Sequence, residues 1–477
     1  MNKNNKFRKL ISNLSYAFGA QGLSLGVSVI LSFILPKFIG VTAFGYWQLF
    51  IFYTTYAGFF HLGLTDGIYL RTGGKKYEEL DHSLLGTEMK FLNLFQVLVA
   101  FVISILIIKI ENTPERRFVI ISFLIYMIIF NSVAYLGYIF QAVNRTKDYS
   151  KALIIEKTCC LLAVIATILL GIANFECYIM IYIICDGFAL LYCIWKGRKI
   201  VFSPFQDFAK AFQDIKINIT IGIKLLIANL ASLLIIGFNR VLIDYHWGIE
   251  EFGKFSMALS LTNFFLLFIT QISMVLFPVL RQTDNVNMKK YYTNLRNILF
   301  ILLPMIFLAY FPLQIILKIW LPQYAESFRY LIFLLPICIY DGRMQMLCTT
   351  YFKVLRKEKF LLVVNIVAMF ISCLLGSVGT FYLNNVYVVI FAIVISIVIR
   401  NLLSEIYLGK EMNSLHQKDF CSEMLLIIFF IIVAWNFKEY IACIFYIGAY
   451  SIYLYRKKDT VKGIIKTLQI SKGKKYE

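Results

Sequence analysis

Among the charged residues of this chain, Asp186, Lys224, Asp341, Arg343 and Arg400 lie deep inside otherwise apolar segments. A charge at the centre of a membrane-spanning helix costs roughly 2.5–3.5 kcal/mol on insertion scales, so each is either used or neutralised. The bases are the two types that hold phosphate, arginine through a planar fork and lysine as a mobile point charge. Lys224, Arg343 and Arg400 are therefore candidate contacts for an anionic substrate. Asp186, beside Gly187, and Asp341 are candidates for gating or for coupling to a cation. Competing readings exist for each. Lys224 and Arg400 lie near enough to a segment end to snorkel, and a structural ion pair would equally account for Arg343 or Asp186. Asp341 and Arg343 point to different sides of one helix, so they are not expected to neutralise each other.

Uncharged polar residues gather on single helix faces. One segment aligns Asn13, Ala17, Ala20, Gln21, Ser24 and Ser28, and the next Thr54, Gly58, His61 and Thr65. Much further along, Lys224, Ala228, Ala231 and Ser232 share a face, followed by Ser256, Ser260, Asn263, Thr270 and Gln271. Such faces either let membrane helices pack closely or line a shared water-filled cavity. In a cavity, Gln21, Asn229, Asn263 and Gln271 are the amides that would meet a polar ligand. Arg71, after Asp66 and Gly67, precedes the flexible run Gly73-Gly74-Lys75-Lys76. That loop suits an anionic headgroup and equally a solvated basic surface.

No pattern for covalent or metal chemistry accompanies these groups. The ten cysteines are scattered without a Cys-x-x-Cys, and the four histidines are far apart; the thiols read as small hydrophobes. No Gly-x-x-x-x-Gly-Lys-Ser/Thr occurs, so ATP hydrolysis would need another chain. The loops are too short to hold a soluble catalytic domain. An enzyme is not expected, and the sequence calls for no cofactor; H+ and Na+ both stay open as coupling ions.

The elements that must position these residues are membrane helices. The chain of 477 residues is 60% hydrophobic and 16% charged, and bilayer-length apolar runs follow one another along it. Without water, their backbone groups must be paired internally, which makes them helices. The reading is an all-α polytopic membrane protein of about fourteen spans. It comprises a six-helix lobe over 1–200, a basic linker over 201–217, a second six-helix lobe over 218–408, and a helix pair with a basic tail over 409–477. The first helix follows a basic stretch but lacks a cleavage site and reads as retained. The net charge of +20 collects on one side, from Lys3, Lys6, Arg8 and Lys9 through Arg145, Lys147 and Lys151 to the tail beyond Arg456. That asymmetry places both termini in the cytoplasm and needs no nucleic-acid partner, although the basic loops can also touch anionic membrane lipids.

The two lobes are expected to be copies of one unit, related by pseudo-twofold symmetry. Gly40-Val41-Thr42-Ala43-Phe44-Gly45 recurs as Gly248-Ile249-Glu250-Glu251-Phe252-Gly253, and at the same offset Gln21 falls on Asn229 and Thr55 on Asn263. Phe140-Gln141-Ala142-Val143 resembles Phe352-Lys353-Val354-Leu355 more weakly. A hydrophobic unit used twice is the pattern of a transporter with a site between repeats.

The two Gly-x-x-x-Phe-Gly turns, the run Gly63-Leu64-Thr65-Asp66-Gly67 leading to Arg71, the two-lobe layout and the terminal helix pair together resemble the Wzx-type lipid-linked oligosaccharide flippases. These belong to the multidrug/oligosaccharidyl-lipid/polysaccharide exporter superfamily. The resemblance implies two six-helix bundles in alternating access in the bacterial cytoplasmic membrane. It also implies an undecaprenyl-pyrophosphate-linked oligosaccharide as substrate, and polymerase and glycosyltransferases of the same pathway as partners. Asp186 could match a cation-binding acid of the drug-exporting branch, whereas the first helix carries Gln21 and no acid. The competing functions are a multidrug/cation antiporter of the same superfamily and, from another class, a membrane polysaccharide polymerase or glycosyltransferase.

Overall fold

The computed structural model of the chain describes residues 19–281, 285–412 and 417–458, with residues 16, 414 and 460. Asn13, Ala17, the basic N-terminal stretch and the tail beyond residue 460 lie outside the described residues, as do the side chains of Thr270 and Gln271. Among the described residues every regular element is a helix. Among the described residues ten helices are long and apolar enough to cross a membrane, or eleven if Pro322–Leu334 and Pro336–Val354, bent by 44°, form one span.

The reading of about fourteen spans is consistent with this count, because helix breaks do not fall where the hydropathy places them. The continuous apolar run over residues 43–64 forms Val41–Thr54, a 3-10 turn at Ala57–His61, and a left-handed step at Leu62 and Gly63 (φ 54° and 87°). Phe208–Arg281, by contrast, is one helical stretch of 74 residues interrupted only by Gly248. At 1.5 Å per residue it is long enough to cross a bilayer twice.

The chain divides into two compact units, Met1–Leu230 and Ala231–Glu477. In the first, Pro114–Ala142 is the central helix, packed on His82–Ile110, Val41–Thr54, Phe175–Lys196 and Leu64–Thr72. Tyr135, Leu136, Ile139 and Phe140 are at its buried heart. The outer face of His82–Ile110 exposes Leu94, Leu98, Phe101 and Val102, a surface suited to acyl chains. Residues 201–217, expected as a linker, and the helix onward to Leu230 belong to this unit.

In the second unit Val386–Glu411 packs on Glu358–Ser377, Pro336–Arg343 and Ala325–Leu334. The terminal helices Gln417–Asn436 and Glu439–Arg456 pack on each other, and the latter packs on Ile306–Trp320. Three tyrosines fasten that last helix. Tyr446, Tyr450 and Tyr453 donate to the carbonyls of Pro304, Ile301 and Phe300, each at 2.8 Å. Pro304 has no N–H, so the Phe300 carbonyl loses its donor four residues on, and the Tyr453 hydroxyl replaces it.

The sequence repeat is a backbone repeat. Gly40 has φ 79° and ψ 172°, and Gly248 has φ 84° and ψ −177°. Both are in a region essentially restricted to glycine. Each starts a new helix, with Phe44 and Phe252 fully buried four residues later. The weaker repeat is also real. Asn144 and Arg356 are both left-handed (φ 60° and 55°). The next N–H reaches back to the Phe140 and Phe352 carbonyls at 2.7 and 2.8 Å. These are two copies of the same Schellman helix stop, one in each unit.

A Cβ at Gly248 would meet no atom within 4 Å, so any cost of alanine there is backbone strain alone. Gly248→Ala should destabilise the detergent-solubilised protein by about 1–3 kcal/mol, read as a lower midpoint in thermal size-exclusion chromatography. Gly448→Ala, also unobstructed but within a helix, should leave the midpoint unchanged or raise it. Equal behaviour of the two variants would show that the φ at residue 248 is not what the repeat preserves.

Candidate functional site

Three clusters of polar side chains stand out among the described residues. In the first unit, Asp186 lies on Phe175–Lys196, whose N-terminus is capped by Asn174 through the Glu176 N–H. Asp186 is 3% exposed, and among the described residues its Oδ2 has no hydrogen-bond partner. The adjacent helix Thr146–Leu169 brings Glu156 and Lys157 within electrostatic reach. Lys157 Nζ is 2.5 Å from Glu156 Oε1 and 5.3 Å over the Tyr182 ring. The cluster therefore holds two carboxylates and one ammonium, with Asp186 as the carboxylate lacking a direct ionic partner.

The second cluster explains the Gly63–Gly67 run. Gly63 faces the backbone of Gly222 and Ile223, and Gly67 faces that of Asn218; a Cβ on Gly67 would lie 2.0 Å from the Asn218 carbonyl oxygen. The glycines thus let Leu64–Thr72 touch the helix that begins at Phe208. Arg71 on the first helix donates to Asp214 at 2.8 Å and Asn218 at 2.7 Å on the second. Its hydrogen bond to Asp214 holds the Arg71 guanidinium above its ordinary range. Asn218 passes the network on to Glu88 at 3.0 Å, and Tyr135 donates to the same carboxylate at 3.3 Å. Lys224, two residues beyond Gly222, is exposed, as is Asn229.

The third cluster is in the second unit. Arg343, read from the sequence as a candidate ligand contact or one half of a structural ion pair, pairs with Glu405 at 2.8 Å and Glu423 at 2.6 Å. It is 0% exposed. Arg296 bridges Glu405 at 3.6 Å to Asp419 at 3.0 Å, and Lys457 closes on Asp419 at 3.3 Å. All three cations lie over the Phe300 ring, at 4.1, 4.5 and 4.5 Å. Three bases meet three acids, and the acids Asp419 and Glu423 come from the terminal helix pair. Asp341 turns the other way. It pairs with Arg400, which also donates to Ser232 at 2.9 Å, and it accepts from Gln345 at 2.8 Å.

Several of the polar-face residues serve packing. Ser232 accepts from Arg400, Ser256 accepts from Arg240, and Ser24 and Thr54 bond carbonyls of their own helices. Asn263 is exposed and Gln21 half-buried. Lys224 is in the first unit and Arg343 in the second. Glu88, Asp214, Asn218, Glu156, Lys157, Arg296, Glu405 and Glu423 were not singled out in the sequence, since a residue's partner on another helix leaves no mark in its own periodicity.

Removing one member of a buried pair is costlier than removing both. Arg343→Gln should destabilise the protein by about 3–5 kcal/mol, and adding Glu423→Gln should restore much of it. Thermal unfolding of the purified variants reads this directly. A single variant as stable as the parent would show that the cluster does not hold the terminal helices.

Comparison with known proteins bears on both fold and family. The chain is similar to a solved structure titled lipid II flippase MurJ, inward closed conformation: 14% identity over 94% of this chain and 100% of that one, with a TM-score of 0.69. It is also similar to an inward-facing multidrug resistance MATE family transporter of the MOP superfamily, with 14% identity over 85% and 98% of the two chains and a TM-score of 0.59. The outward-facing form of such a transporter matches with 14% identity over 84% and 96%, at a TM-score of 0.55. At such identity the likeness establishes the fold. No curated protein sequence matches the chain. The family described as polysaccharide biosynthesis protein matches residues 10–284, more than half of the length. The chain thus belongs to the polysaccharide biosynthesis protein family, as a multi-pass membrane protein whose fold is similar to those of the MurJ and MATE structures.

Proposed function

We propose that this protein flips an undecaprenyl-pyrophosphate-linked oligosaccharide from the cytoplasmic to the outer leaflet of the bacterial cytoplasmic membrane, by alternating access. The observation that carries the proposal is membership of a polysaccharide biosynthesis family by a chain with a flippase and exporter fold. The chemistry is compatible. A polyprenyl tail can stay in lipid while a polar, anionic headgroup crosses against amides and bases. Lys224 and Arg71 are the suited bases, because both retain exposure and their helices meet at Gly63 and Gly222. Gln21, Asn229, Asn263 and Gln271 would contact sugar. Arg400 with Asp341 would form a gate, and Asp186 would take the coupling H+ or Na+. Both termini would be cytoplasmic, and the polymerase and glycosyltransferases of the pathway are the expected partners.

The test is a flipping assay in proteoliposomes. A fluorescent undecaprenyl-pyrophosphate saccharide is followed by dithionite quenching. Lys224→Ala should slow flipping on the order of tenfold or more, the worth of a charged hydrogen bond, while Lys224→Arg retains most activity. Efflux of a cationic dye with no movement of the lipid-linked saccharide would establish the antiporter instead. Asp186→Asn should abolish the dependence of flipping on a pH or sodium gradient. An unchanged response to both gradients would remove Asp186 from the coupling step.

A further inference from the structure

One stretch of the first unit takes no part in the clusters above except through Asp214. Residues 195–216 expose five large aromatic rings: Trp195 at 60%, Phe202 at 75%, Phe205 at 70%, Phe208 at 62% and Phe212 at 59%. The same stretch carries Lys196, Arg198, Lys199, Lys210 and Lys216 against only Asp207 and Asp214. Asp214 is committed to Arg71, and Lys210 lies 3.6 Å from Asp81. Arg198 and Lys199 are exposed and meet no acid among the described residues.

The rings are held in place. Ser83 donates to the Pro204 carbonyl at 2.7 Å, Lys90 to the Ser203 carbonyl at 2.7 Å, and the Gln206 N–H to Thr87 at 2.9 Å. Gly86 admits the Ile200 carbonyl oxygen to 2.1 Å from where a Cβ would be. Phe208 and Phe212 stack with ring planes 6° apart, Lys90 covers Phe205 at 4.3 Å, and Lys196 covers Trp195 at 3.9 Å.

The position is at the end of the helices. The stretch runs from the end of Phe175–Lys196 through the short helix Arg198–Val201 to the start of Phe208–Arg281, beside the start of His82–Ile110. The Gly74 N–H bonds the Ala142 carbonyl at the same end, and Arg145 lies over Tyr77. In water, five exposed rings on a pinned backbone would be an aggregation liability. At a bilayer surface they have a solvent: ring bodies reach the acyl boundary while ammonium and guanidinium heads meet phosphate.

We propose that residues 195–216 form an interfacial anchor, seated in the headgroup layer with Lys196, Arg198 and Lys199 on anionic phospholipid. The anchor binds the bilayer surface itself and is independent of the transported substrate. The test uses the full chain in nanodiscs of equal phosphatidylglycerol and phosphatidylcholine, with an environment-sensitive coumarin amino acid at position 205. Brominated phosphatidylglycerol should quench the probe more strongly than brominated phosphatidylcholine. Combining Lys196→Gln, Arg198→Gln and Lys199→Gln should erase that preference, at on the order of fivefold per charge removed. The probe reports position, so the result does not depend on transport. Quenching by aqueous iodide and not by brominated lipid overturns the proposal, as does equal quenching by the two lipids. Shielding that arises only when other solubilised membrane proteins are added assigns the surface to a protein partner and also overturns it.

Discussion

Within hydrocarbon there is no water to complete an unfinished hydrogen bond or to screen a charge, and most of this structure follows from that constraint. Where Pro304 removes an N–H, three tyrosine hydroxyls of the last helix arrive to serve the surrounding carbonyls. Where Arg343 is buried at 0% exposure, Glu405 and Glu423 come from two further helices to meet it. Asn239 is handled in the same way, through Ser372 at 2.7 Å and the Ile235 carbonyl at 3.1 Å. In each case the polar contact also fixes which helix is a neighbour. Apolar packing alone specifies this poorly in a membrane, because lipid tails compete equally for apolar surface.

Glycine does the complementary work, in two distinct ways. At Gly40 and Gly248 it supplies a backbone conformation, ending one helix and starting the next with no neighbouring atom in the way. At Gly63, Gly67 and Gly222 it supplies absence of bulk, so that two helices touch through their backbones. This contact puts Arg71 on Asp214 and Asn218, and through Asn218 connects it to buried Glu88. The position of Arg71 therefore depends on residues that carry no functional group.

These distinctions mark how far the sequence could be read. Gly40 and Gly248 are backbone features with a residue-type signature, so their recurrence was visible, as was the helix stop shared by Phe140 and Phe352. Helical character followed from continuous apolar runs. The positions of the helix breaks did not, because a left-handed Leu62 is invisible to hydropathy, and a single glycine is all that divides the 74 residues of Phe208–Arg281. The deep charges were visible one at a time, but their partners were not. Arg343 finds Glu423 at a sequence separation of 80. Local spacing could exclude the near neighbour Asp341 but could not nominate a carboxylate on a helix that hydropathy treats as an appendage.

The clusters differ in how completely their charges are matched, and that difference separates fixed parts from responsive ones. Arg343, Arg296 and Lys457 meet Glu405, Glu423 and Asp419 one for one around a shared aromatic ring. Its charges balance in number, while Arg343 Nε and Nη1, both Glu405 oxygens and Glu423 Oε1 have no hydrogen-bond partner among the described residues. Asp186 sits near the Glu156–Lys157 pair with one oxygen unserved. There, adding a proton or a cation would change the local charge balance, the effect that the proposed coupling role of Asp186 requires. Arg71 is intermediate, saturated by Asp214 and Asn218 yet with its side chain 36% exposed. If a ligand is to change this molecule's conformation, it must interact differently with two arrangements of the chain. On the proposed function, the unequal charge around Asp186 would meet that requirement, and the charge-balanced network holding the terminal helices would serve to fix them.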